Sequence, residues 1–313
     1  MFDTDPPKVL VALAANEDGT AAVAFAAAEA RRRRCGVHLA HVAHPSVLGS
    51  DPAELDLREG VLRDTGAMAL EEAARRMTQL LPDDASVSTE LVHGDVASSL
   101  ARLSAHASLV VLQHQRPETQ QRLGLTLSVT SAVAARAHAP VVAVPPGWYD
   151  DPARGSVVVG IKDDESCVSL VRAALEEARR RESFVRVVHA WHPSESAPHL
   201  GGVSGGPPRL LLDRLAAALE PLVTEYDDVP AELMVPDARP AQALITESET
   251  AAVVIAGRHS SAMWGPHLGS VARAVLREST CPVMVVDPGE LAHGLAPAAV
   301  SLGGRQRRAG GLR

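Results

Sequence analysis

Two short stretches near the end of the chain hold the residues best suited to chemistry. The first is Gly257-Arg258-His259-Ser260, and the second is Gly269-Ser270-Val271. Gly257 follows Ala252–Ala256, an apolar run that reads as a buried strand. Gly269-Ser270 stands at or just inside the start of a helix. A glycine has no Cβ, so its backbone can come close to a ligand. The first N–H groups of a helix lack intrahelical partners and sit at the positive end of its dipole. Ser270 adds a hydroxyl. Together these residues make a cradle for an anion such as a phosphate.

The elements that must position this cradle are written twice in the chain. Val9-Leu10-Val11-Ala12-Leu13 returns as Val157-Val158-Val159-Gly160-Ile161. At the same offset, Glu29-Ala30-Arg31-Arg32-Arg33 returns as Glu177-Ala178-Arg179-Arg180-Arg181. His41, His44 and Pro45 return as His189, His192 and Pro193. The repeat is a whole domain long, far beyond a solenoid period of about 20–50 residues. It is a tandem duplication of one globular unit.

Each copy alternates apolar runs with helical segments. Strands are expected at Lys8–Leu13, Val37–Val42, Ser86–Val92, Ser108–Leu112 and Pro140–Val144. The second set is Ser156–Ile161, Phe184–Ala190, Ala231–Val235, Ala252–Ala256 and Pro282–Val286. Asp95 is a candidate N-cap for a helix over Val96–Ala105. Strands alternating with helices make βαβ units and a parallel sheet. The fold class is therefore α/β, with two doubly wound five-stranded parallel sheets and a ligand crevice where strand order reverses. Domains are placed at 1–147 and 155–288, with a disordered tail at 289–313 that has no apolar periodicity. Each copy ends in a short strand with an unpaired edge, and pairing those two edges about a pseudo-twofold axis would satisfy both.

The copies differ where a phosphate would sit. The first copy has Gln113, Arg116 and Leu127 in place of small residues ahead of Ser128. Its reading is a structural partner domain. The histidine pairs recur, but residues three apart on a strand face opposite sides, which argues against metal. Arg31–Arg34 reads as a solvated helix end. There is no Walker-type Gly-Lys-Ser/Thr and no Gly-x-Ser-x-Gly elbow. No carboxylate pair stands out as acid and base, so no turnover is expected.

Aromatic residues make up only 3% of the chain, so the cores must be aliphatic. A net charge of −8 argues against nucleic acid, which calls for a basic face. No apolar run is long enough to span a membrane. Three cysteines in unrelated places read as free thiols of a reducing cytoplasm.

The order of these elements, with Gly257, Gly269-Ser270 and the closing Cys281-Pro282-Val283-Met284-Val285-Val286, resembles the universal stress protein family in its tandem form. That family is Rossmann-like. Its motif is Gly, two residues, Gly, nine residues, then Gly-Ser or Gly-Thr. The resemblance also takes in Val188-His189-Ala190 and the Gly94-Asp95 turn. It implies a stress-response regulator that binds an adenine nucleotide, ATP, in its second domain. The implied nucleotide-binding residues are Gly257, Arg258, Ser260, Gly269, Ser270, Val271, Asp163 and Val188. Ser260 replaces the second glycine, the loop is one residue shorter, and Lys162 stands where ATP-binding members carry aspartate, leaving Asp163 to reach the ribose. The other reading is an interaction protein of the same fold that binds no nucleotide and contacts a regulatory partner.

Overall fold

The computed structural model describes residues 7–15, 19–44, 52–114, 129–162, 166–191, 209–261 and 265–289. The first half contains β1 (Lys8–Leu13), α1 (Thr20–Arg33), β2 (Val37–Ala43), α2 (Pro52–Leu80), β3 (Val87–His93), α3 (Val96–Ser104), β4 (Ala107–Gln113), α4 (Val129–Arg136) and β5 (Val141–Val144). The second contains β6 (Ser156–Gly160), α5 (Ser166–Arg180), β7 (Phe184–Val188), α6 (Arg209–Glu225), β8 (Ala231–Met234), α7 (Pro240–Glu247), β9 (Ala251–Gly257), β10 (His259–Ser261), β11 (Gly265–His267), α8 (Ser270–Glu278) and β12 (Val283–Val286). The ten expected strands are all present. The hairpin of β10 and β11 has no counterpart in the sequence reading. It is too short, at three residues a strand, to show a pattern. Of the expected tail only Gly289 is described; residues 290–313 lie outside the described residues.

The two sheets are halves of one. Strand order is β3-β2-β1-β4-β5-β12-β9-β6-β7-β8. Every neighbouring pair is parallel except the central one, where β5 meets β12 antiparallel with Val142 opposite Met284. The edge pairing expected from the sequence is thus observed. Successive side chains of β1 serve opposite faces. Val9 and Val11 join one core with α1, α2, α5 and α6, and Leu10 joins the other with α3, α4, α7 and α8. Both cores run through both halves, which is why the strands are apolar on both faces.

Duplication extends to local devices. Ser104 and Ser248 are both buried, each donating to a carbonyl of its own helix and accepting a backbone N–H from the turn before the last strand. Asp95 caps α3, accepting from the Ser98 N–H at 2.9 Å. Helices α1 and α5 both end on a left-handed residue, Arg34 at φ 51° and Glu182 at φ 52°. The next N–H reaches back to Ala30 in one half and Ala178 in the other, the Schellman closure. A non-glycine residue there costs roughly 1–2 kcal/mol. Glu182→Gly should therefore raise stability by about 1 kcal/mol. Chemical denaturation can measure this, and an unchanged or lower midpoint would refute it.

Of the run read as a solvated helix end, Arg31 and Arg34 are exposed, but Arg32 and Arg33 turn to buried carboxylates. Glu29 is 0% exposed and Glu177 1%. Arg33 donates to its own Glu29 and, at 2.8 Å, to Glu177 of the other half. Arg181 mirrors this, donating to Glu177 and, at 2.6 Å, to Glu29. Arg32 and Arg180 add one bond each to the carboxylate on their own helix. Helices α1 and α5 meet here, so residues that would face water in an isolated domain are buried by its twin. Burial pushes the Glu177 carboxyl up, but attraction from Arg181, Arg33 and Arg180 outweighs it and holds it at about 2.

Candidate functional site

In the second half, strand order reverses between β6 and β9. A cavity of about 330 Å³ opens there, at the carboxyl ends of the strands, where ligands bind in doubly wound sheets. Its walls come from Gly160-Ile161-Lys162 at the end of β6, Val188-His189-Ala190 at the end of β7, and Ala256-Gly257-Arg258 at the end of β9. Val271 and Ala272 of α8 close one side, Pro240 and Leu244 of α7 another, and Asp287-Pro288-Gly289 a third. Four of the residues implied by the sequence, Val188, Gly257, Arg258 and Val271, lie in these walls.

Gly269 is the N-cap of α8, with extended backbone at φ −63° and ψ 162° and no side-chain cap hydrogen bond. Ser270 is the first helical residue and is exposed. The helix start beside the cavity therefore has no side chain of its own satisfying its first N–H groups. Gly257 does not need glycine for a turn, because positive φ among described glycines occurs at Gly94 and Gly147. A Cβ at Gly257 would instead lie 3.2 Å from Leu170 Cδ1. Its smallness lets α5 press against the strand end. Ser260 lies in extended strand β10, opposite Pro266. It pays no left-handed strain there. Asp163 lies outside the described residues.

Arg258 is more committed than its sequence position suggests. Its guanidinium donates to Asp287 of its own half through Nε at 2.9 Å and Nη2. Nη1 crosses to the first half, donating to the carbonyls of Ala135 at 3.3 Å and Ala137 at 2.6 Å. A cation suits these carbonyls at the negative end of α4. Sequence reading missed Asp287, although both residues follow adjacent strand ends. It also missed the state of His189. The His189 Nδ1 is buried without a hydrogen-bond partner among the described residues, whereas the matching His41 Nδ1 lies 2.8 Å from the Leu13 carbonyl. Lys162 stands at the cavity edge.

Among the described residues, no three His, Cys, Asp or Glu side chains cluster to hold a metal, and no helix is long and apolar enough to cross a membrane. Cys35, Cys167 and Cys281 are free thiols. Burial pushes the Cys281 thiol up to about 12, so it is a core residue, not a nucleophile.

A helix start opening onto a switch-point cavity, twice over in one sheet, defines a tandem α/β protein of the Rossmann-like class. The family model described as the universal stress protein family matches residues 7–145 and again 154–287. The chain belongs to the universal stress protein family. It is 30% identical over 287 residues to universal stress protein Rv2005c of Mycobacterium tuberculosis, covering 88% of this chain and 96% of that one. A crystal structure of a universal stress protein from Archaeoglobus fulgidus superimposes with a TM-score of 0.65 at 15% identity, covering 89% of this chain and 96% of that one. A universal stress protein crystallised in complex with cAMP aligns with 44% of this chain and 95% of its own, at 23% identity and a TM-score of 0.33.

Proposed function

We propose that the second half binds one adenine nucleotide, ATP, and that the protein acts in the cytoplasm as a stress-response regulator without turnover. The observation that carries this reading is the uncapped start of α8 beside a cavity whose rim bears Lys162. Phosphates would lie against the N–H groups of Ser270 and Val271, with the Lys162 ammonium as a counter-charge. The His189 Nδ1 has no hydrogen-bond partner among the described residues, and His189 lines the part of the cavity where the nucleoside would sit. A cavity of 330 Å³ is at the low end of ligand pockets, which suits a nucleoside inside and phosphates running out towards the helix. The free thiols support a reducing compartment. Calorimetric titration of the full chain with ATP and magnesium should saturate at one nucleotide per chain. Two sites, or no binding at millimolar ATP, would overturn the reading.

A second reading has one observation in its favour. Arg258, the arginine in the cavity wall, already spends its guanidinium on Asp287 and the end of α4. A chain that uses its best phosphate ligand to hold its halves together could serve as an interaction protein with no nucleotide. Absence of binding in the same titration would favour it.

A further inference from the structure

The larger cavity is in the other half. It holds about 580 Å³, against 330 Å³ in the second half, and falls well inside the range of about 300–1,000 Å³ typical of ligand sites. It opens at the first half's own switch point, between the ends of β1 and β4. The difference in size has a visible cause. Helix α2 supplies a wall to the first cavity through Val61, Leu62 and Thr65, whereas no α6 residue is among the described residues lining the second.

Its chemistry is also different. Among the described lining residues there is no lysine or arginine, and most are alanine, valine or leucine. Where the second half has Gly257, the first has Gln113, which lines the cavity. The Gln113 Oε1 is buried and, among the described residues, has no hydrogen-bond partner. A buried amide oxygen left in that state is destabilising, and a donor on a ligand would relieve it. Among the described residues, an anion would find apolar walls and no lysine or arginine.

We propose that the first-half cavity is a second ligand site, for an uncharged, mainly apolar small molecule that presents an N–H or O–H donor to Gln113. On this assignment the duplication has produced two sites of opposite character. The site stands whether or not the second half binds a nucleotide, because it rests on different residues.

The test uses the neutral dye N-phenyl-1-naphthylamine, which is apolar and carries one N–H, titrated into the full chain and followed by fluorescence. Saturation at one dye per chain is expected. Gln113→Leu should weaken binding about three- to tenfold, the worth of one neutral hydrogen bond. Ala12→Phe, which places a ring in the cavity from β1, should weaken it more than tenfold. Thr65→Phe should do the same from the helix wall, and it serves if the strand variant fails to fold by circular dichroism. Saturating ATP should not displace the dye, and Gly269→Leu should bind it normally. No dye binding, wild-type affinity in folded Ala12→Phe or Thr65→Phe, or displacement by ATP would each overturn the proposal. Wild-type affinity in Gln113→Leu would overturn the role given to the amide.

Discussion

Glu177→Ala is expected to cost about 3–5 kcal/mol of stability, the range for breaking a buried ion pair from one side. The carboxylate is 1% exposed and receives hydrogen bonds from Arg33, Arg180 and Arg181. Removing it leaves the Arg181 guanidinium, with a side chain only 5% exposed, short of one of its two carboxylates. It also cuts the tie from α1 of the first half, so the loss falls on the packing of the halves as well as on α5. Glu29→Ala should behave alike, since the four-residue cluster is nearly symmetric. Replacing Glu29, Arg33, Glu177 and Arg181 together by apolar residues of similar size should cost far less than either single change, because no charge is then stranded. Urea denaturation at pH 7 measures all three. A loss below about 1 kcal/mol for Glu177→Ala would place the cluster with ordinary surface pairs.

The same cluster sets an acid limb. The Glu177 carboxyl sits at about 2 in the folded chain, against an ordinary 4.5. Its folded value is depressed, so its contribution is fully present above about pH 4.5 and fades as the pH falls towards 2. Glu177→Gln should flatten that part of the stability profile and leave the neutral region sloped as before. An unchanged acid limb would contradict this.

Gly269→Leu should lower ATP affinity at least about 100-fold, the scale of losing several charge-assisted hydrogen bonds at once. The substitution copies Leu127, the residue at the matching place in the first half. Gly269 has ordinary extended dihedrals, φ −63° and ψ 162°, which leucine adopts without strain. The variant should therefore fold normally, and its defect can be read as a binding defect. An isobutyl group at the N-cap would cover the N–H groups of α8 that the phosphates need. Calorimetry at matched protein concentration distinguishes the variants. Wild-type affinity in Gly269→Leu would remove α8 from the site.

Much of this molecule is legible in its sequence. The ten strands follow from apolar runs, because a strand buried on both faces needs no polar alternation. The duplication follows from residue identities, and the pairing of β5 with β12 from the cost of bare edges. The helix start at Gly269-Ser270 follows from local helix physics, which needs no tertiary information. Other features depend on what packs against what. Arg33 belongs to a run, Arg31–Arg34, that reads as a solvated helix end, and only the approach of α5 draws it into a buried cluster with Glu29 and Glu177. Arg258 looks like a free phosphate ligand until β12 brings Asp287, and the sheet brings α4, within reach of its guanidinium. The first half looks like an emptied copy because its glycines are gone. It still holds a cavity, walled by the strand ends together with Val61, Leu62 and Thr65 of α2, an arrangement no single segment encodes.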